Sequence, residues 1–317
     1  MTEEELIKRV QHNRRLKKLR ERRRKLIIKM VICALLLVLV IVGIVRCTSN
    51  AIEKKKVEQQ RIEQLEKKKQ EEEKKKKAEE KKKKEEMEKL NARAKDFEVD
   101  PARTAGSENH IEEKIVYLTF DDGPSVLTPK VLEILDKYNA KATFFVTNHD
   151  KSSAHYIKEA YDKGHTIGMH TSSHDYQQVY SSVQAYFDDL AAISQTVKEQ
   201  IGYVPCFIRF PGGSSNTVSS FTPGIMTELT AEVQKRGYQY YDWNTGCGDG
   251  GVCTTEELIQ TGTSGTANNL LFLAHDSATK QTTVEALPKI IEYYQNQGYV
   301  FKAIDRETIT AHHGLNN

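Results

Sequence analysis

Two adjacent carboxylates, Asp121 and Asp122, close the apolar run IVYLTF and are followed at once by Gly-Pro. Their mutual repulsion makes double ionisation costly unless a cation takes up one of the charges. Downstream, HTSSH sets His170 and His174 four residues apart. If that segment turns as a helix, both imidazoles share a face and can bind one metal ion. With Asp122 they make a two-histidine, one-carboxylate set, which leaves coordination positions open and suits a catalytic rather than a structural site. Asp122 then gives its charge to the cation, and Asp121 is free to be a base. Arg209 in RFPGG can hold a carboxylate in bidentate fashion. Asp242 in DWN would fix the tautomer of a histidine beside it, and His275 in LFLAH is a candidate general acid. Trp243, the only tryptophan, could floor a sugar site or fill the core. His110, His149, His155, His165, His312 and His313 lack such a context and read as structural or surface residues. No serine or cysteine stands out as a nucleophile.

The elements that must position these groups are short apolar strands alternating with amphipathic helices from Ile111 onward. KIVYLTF, ATFFVT, HTIGM, CFIRF, YQYYDW, LLFLA and YVFKAI are the strand candidates, with helical segments such as TPKVLEILDKYN and SVQAYFDDLAAISQTVKEQIG between them. This alternation argues for parallel βα units and an α/β fold. About 200 residues suit a small or incomplete (β/α) barrel, with a doubly wound open sheet as the alternative on pattern alone. Asp121 and Asp122, His170, Arg209, Asp242 and His275 all fall at strand carboxyl ends, which in such a barrel converge on one face.

Ahead of this domain the composition is different. Residues 1–29 carry 12 Lys and Arg against 4 Glu, and 30–45, MVICALLLVLVIVGIV, have no charge at all. With Leu26 to Lys29 the run reaches roughly the 20 residues that cross a bilayer. A cleaved signal peptide is the other reading, but no small-residue cleavage site follows. A single-pass membrane anchor with a cytoplasmic amino end and an extracellular remainder is therefore expected. Residues 46–97 are rich in Glu, Lys and Gln without a heptad seam. They predict a solvated helical stalk up to roughly 70 Å long rather than a stable coiled coil; EVDPARTAGSEN, in 98–110, reads as a linker. Residues 101–317 hold 16 Lys and Arg against 25 Asp and Glu, a balance that argues against nucleic acid as partner. Outside the membrane, Cys247 and Cys253 of GCGDGGVC could close a disulfide ring or remain free thiols.

TFDDGP, HTSSH, RFPGG, DWN and LFLAH, in this order, resemble the five motifs of the polysaccharide deacetylase family, the carbohydrate esterases with a NodB homology domain. The likeness places that domain at 111–310. It implies Asp121 as general base, and Asp122, His170 and His174 as ligands of a divalent metal, usually zinc, with cobalt or another transition metal as alternatives. It further implies that Arg209 steadies Asp121, that Asp242 tunes His275, and that His275 protonates the leaving amine. Phe210, Pro211, Gly212, Gly213, Trp243 and Leu273 would line the substrate groove. Two departures stand out: many members have Pro-Pro or Pro-Tyr where this chain has RFPGG, and the cysteines after DWN match no common pattern. The expected substrate is a cell-wall polysaccharide, first N-acetylglucosamine of peptidoglycan, then another exported acetylated glycan. A catalytically silent wall-binding domain is disfavoured because the implied base, ligands and acid are all present.

Overall fold

The computed structural model describes residues 3–317 apart from Thr104 and His110, so His110 lies outside the described residues. It divides into two units, Met1–Lys84 and Glu85–Asn317. The first unit is helical throughout its described residues, within a helix α1 that runs Glu3–Phe97. Exposed i,i+4 pairs such as Lys77 with Glu73 at 2.9 Å and Lys83 with Glu79 at 3.0 Å line it, each contributing a few tenths of a kcal/mol. One window of the helix, with mean hydropathy 3.1, is long and apolar enough to cross a membrane.

The second unit begins inside α1. Ala94 and Phe97 pack on its core, Phe97 meets Phe207 edge-on at 5.4 Å, and the Arg93 guanidinium donates to the carbonyls of Tyr161 and Gly164. Residues 98–109, expected to be a linker, are tied to the same unit. Val99 N–H donates to the Val204 carbonyl, Gly106 N–H to that of Arg306, and Ser107 pairs with Ile309. Arg306 in turn donates to the carbonyls of Glu98 and Arg103 at 2.7 and 3.0 Å, which is why so polar a stretch is held. A chain cut to begin at residue 98 should therefore melt roughly 10 °C below one beginning at residue 85, because Phe207 loses its cover. Calorimetry of the two checks this.

The strands are β1 (Ile115–Asp121), β2 (Ala142–Val146), β3 (Thr166–Met169), β4 (Phe207–Ile208), β5 (Gln239–Tyr240), β6 (Thr245–Gly246), β7 (Asn269–His275) and β8 (Val300–Phe301). Between them run α2 (Thr128–Lys137), α3 (His155–Asp162), α4 (Tyr176–Val179), α5 (Val183–Ile201), α6 (Ile225–Lys235), α7 (Thr255–Gly262) and α8 (Gln281–Asn296). All pairings are parallel, in the order β5-β4-β3-β2-β1-β7-β6, with β8 beside the start of β1. The edge strands β5 and β6 are joined by only Tyr241–Asn244. Five Cα steps span at most about 18 Å, whereas seven strands laid flat would separate their edges by about 29 Å. The sheet must curl, and the result is an incomplete barrel rather than an open doubly wound sheet.

Strand alternation divides the core in two. Val116, Leu118 and Phe120 of β1 face the helices, while Ile115 and Tyr117 face the barrel interior with Phe145, Phe207, Tyr241 and Leu271. Two helices and one strand, α4, α7 and β6, were not foreseen. β6 lies in the Gly-rich NTGCG, with no apolar pattern, and exists because Gly246 allows close approach to β7: a β-carbon there would stand 2.7 Å from the Leu273 carbonyl oxygen.

His165, read as structural, is fully buried edge-on to Phe144, accepts from the Ala142 N–H at 3.2 Å, and has no partner at Nε2. Burial, reinforced by the Lys141 cation, pulls its pKa from 6.5 to about 3. The native state keeps it neutral while the unfolded chain protonates it. Its contribution is thus complete above pH 6.5 and lost as pH falls toward 3. At pH 5 the loss is about 2 kcal/mol, so the fall in urea-unfolding free energy between pH 7.5 and 5 should be smaller by that amount in His165→Phe.

Candidate active site

Inward positions at the carboxyl ends of the strands converge as expected. On β1 the alternation that points Ile115 and Tyr117 inward also points Thr119 and Asp121 inward, and it would send Asp122 outward. A left-handed turn at Asp122, φ 69°, breaks the alternation and brings its carboxylate to the same mouth. Gly123 permits this turn to press against the residue that follows β7, since a β-carbon there would collide with the Asp276 carboxyl group.

Asp122, His170 and His174 have ligand atoms within 4.8 Å of one another. They do not meet by helix spacing: HTSSH is an irregular loop, with φ of 64° at Thr171 and 49° at His174. The Asp189 carboxylate shapes it by accepting from the N–H groups of Ser172 and Ser173. His170 Nδ1 donates to the Arg209 carbonyl at 2.8 Å, which leaves Nε2 as the free lone pair, and burial holds this imidazole neutral with a pKa near 3. Asp122 Oδ1 is 3.6 Å from His174 Nε2 and 3.8 Å from His170 Nε2, is buried, and has no hydrogen-bond partner. Two ligands about 2.1 Å from a tetrahedral cation stand about 3.4 Å apart, so the orphaned oxygen and its two lone-pair donors fit a metal ion.

Asp121 is 2 % exposed; its Oδ1 accepts from Arg209 Nη1 at 2.8 Å and its Oδ2 lies 3.7 Å from His170 Nε2. Desolvation raises its pKa against the pull of Arg209. Arg209 is wholly buried, and all three guanidinium nitrogens serve acceptors: Nη1 also reaches Thr119 Oγ1 at 2.6 Å, Nε the Tyr241 carbonyl at 2.8 Å, and Nη2 the Asp242 carbonyl at 3.0 Å. Its contact with Asp121 is therefore single rather than bidentate.

The expected partnership of Asp242 with His275 is not formed. The Asp242 carboxylate accepts from Ser214 N–H at 2.8 Å, Ser214 Oγ at 2.5 Å and His313 N–H at 2.9 Å, and so ties the RFPGG turn to residues 311–313. Asp249 takes the role instead. Its carboxylate accepts from His275 Nδ1 at 2.8 Å, His275 N–H at 2.9 Å and Thr283 Oγ1 at 2.8 Å. Burial alone would lower the His275 pKa, but the bond to Asp249 and the charges of Asp249, Asp121 and Asp122 raise it on balance. Asp249 was missed because it sits in GDGG, beyond any strand; its one signal was a lone acid in a glycine-rich turn.

Among the groove residues, Phe210 is buried against Tyr186 and Tyr240 and belongs to the core, not the groove. Pro211 is also buried, its carbonyl accepting from Tyr180 Oη at 2.7 Å. Trp243, Leu273 and His275 line a cavity of about 430 Å³ with Asp249, Gly248 and His313. Gly213 lies under Trp243, and a β-carbon on it would stand 3.0 Å from the indole. Cys247 and Cys253 are both free: the buried Cys247 thiol turns to the Leu273 carbonyl, and Cys253 to that of Gly248.

A curled parallel sheet carrying a buried carboxylate, a metal-competent triad and a carboxylate-oriented histidine at one mouth suits a hydrolase of the acyl-transfer class. The polysaccharide deacetylase family model matches residues 108–222. A peptidoglycan-N-acetylglucosamine deacetylase of Bacillus cereus is 30% identical over 65% of this chain and 94% of its own length. The peptidoglycan-N-acetylmuramic acid deacetylase PdaA of Bacillus subtilis is 31% identical over 61% of this chain and 71% of its own. Among solved structures, the catalytic domain of peptidoglycan N-acetylglucosamine deacetylase from Eubacterium rectale is 45% identical, with TM-score 0.64, over 69% of this chain and all of that one. The chain belongs to the polysaccharide deacetylase family, and is a carbohydrate esterase that hydrolyses acetyl groups from polysaccharide.

Proposed function

We propose that this chain removes the acetyl group from N-acetylglucosamine of peptidoglycan, with one divalent metal ion, most suitably zinc, held by Asp122, His170 and His174. The observation that carries this is the β1–β7 register: Asp121 and His275 are direct partners on neighbouring strands, with the triad beside them. Bound there, the ion would lower the pKa of a water and polarise the acetamide carbonyl. Asp121 accepts the water's proton as the oxygen attacks carbon, with Arg209 keeping the carboxylate in place. His275, its Nδ1–H held by Asp249, presents Nε2 to the acetamide nitrogen and delivers a proton as the C–N bond breaks. Acetate and a free amine are the products.

The apolar run 30–45, behind a tail of 12 Lys and Arg against 4 Glu, anchors the chain in the cell membrane in a single pass. The amino end is cytoplasmic and the catalytic domain extracellular, where wall polymer is within reach. The names of the B. cereus and E. rectale relatives support peptidoglycan as substrate.

The test is acetate release by the zinc-loaded full chain in detergent, from purified peptidoglycan and from an N-acetylglucosamine oligomer. Release from peptidoglycan, with glucosamine rather than muramic acid left in the wall, is expected. Release from the oligomer alone would shift the substrate to another acetylated glycan. His174→Ala should lose most of its zinc by elemental analysis, and unchanged occupancy would remove it from the ligand set.

A further inference from the structure

One polar group at the site is unused by this mechanism. Tyr176 opens α4, the single turn after HTSSH, which Asp175 caps by accepting from the N–H groups of Gln177 and Gln178 at 2.9 and 3.3 Å. Its half-buried ring stands 5.1 Å from that of His174 and lies parallel to Tyr180 at 6.3 Å. Tyr180 is itself fixed by its bond to the Pro211 carbonyl, so α4 and the RFPGG turn are joined. At that turn Gly212 has φ 72° and no side chain, and a β-carbon on it would be 3.5 Å from Tyr176 Oη. The two glycines thus yield to two aromatics supplied from elsewhere, Tyr176 at Gly212 and Trp243 at Gly213. The Tyr176 hydroxyl makes no hydrogen bond among the described residues.

We propose that Tyr176 is a further substrate-binding residue, whose hydroxyl donates a hydrogen bond to an oxygen of the N-acetylated sugar seated at the Asp122–His170–His174 mouth. This rests on the deacetylase reading above. A rigid ring with an accessible, unpaired donor beside the triad is suited to a ligand rich in oxygen acceptors. The ring also forms the wall that the glycine pair leaves open.

The test uses the zinc-loaded full chain. In an Asp121→Asn background that blocks turnover, calorimetric titration with an N-acetylglucosamine oligomer should show about tenfold weaker binding in Tyr176→Phe. With Asp121 restored, the same substitution should raise KM for acetate release more than it lowers kcat, with zinc content and Tm unchanged. Equal binding and equal kinetics in Tyr176→Phe, in an active parent, would overturn the Tyr176 assignment alone. So would a loss seen only in Tyr176→Ala, which would reduce the ring to packing. A parent that releases no acetate from either substrate would overturn both readings.

Discussion

Asp121→Asn is expected to lower kcat/KM for acetate release by about a thousandfold while zinc content stays unchanged. General-base catalysis contributes roughly 10²–10⁴, and an amide keeps the size and the Arg209 hydrogen bond but cannot take the water's proton. The buried position sharpens the effect. Asp121 is 2 % exposed, so bulk water cannot easily substitute as base. Metal content separates the two carboxylates, because Asp122 rather than Asp121 belongs to the triad. Zinc analysis beside the kinetics checks this; an active Asp121→Asn variant would remove Asp121 as the base.

Asp249→Asn should cost about 10²–10³ in kcat, with Asp242→Asn as the contrasting variant. Asp249 holds His275 Nδ1–H toward itself, leaves Nε2 to work on the substrate, and favours the charged imidazole. An amide can present its N–H to Nδ1 and stabilise the wrong tautomer. The sign of the pH effect follows. Asp249 and the neighbouring carboxylates raise the His275 pKa, so losing one charge should move the alkaline limb of the kcat profile to lower pH. Asp242 binds Ser214 and the His313 N–H, and makes no contact with His275. Its amide variant should lower Tm and leave that limb in place. The reverse outcome would restore Asp242 as the partner of His275.

These contrasts mark how much of the site could be read along the chain. Asp121, His170, Arg209 and His275 were legible because each ends an apolar segment whose side chains alternate, and parallel strand ends in a curled sheet meet at one mouth. Asp249 was not, since GDGG carries no periodicity and its direction depends on β6 pairing with β7. His170 and His174 do come together, but left-handed turns rather than the expected helix bring them there. The segment 98–109 read as a linker because its composition is polar, while the hydrogen bonds that tie Glu98, Val99, Arg103, Gly106 and Ser107 to the domain go to residues a hundred or more positions away.

By itself, the sequence determined the parallel βα architecture, the apolar span ahead of it, and the residues proposed as base, metal ligands and acid. Those features rest on local patterns, the period of a strand or the spacing of a motif, which survive being read in one dimension. Only the tertiary structure decided which acid orients His275, that Cys247 and Cys253 stay apart, and that Tyr176 stands where Gly212 has no side chain. Each of these depends on loops whose conformation is set by what packs against them, and that information lies in distant segments rather than in the loop's own residues.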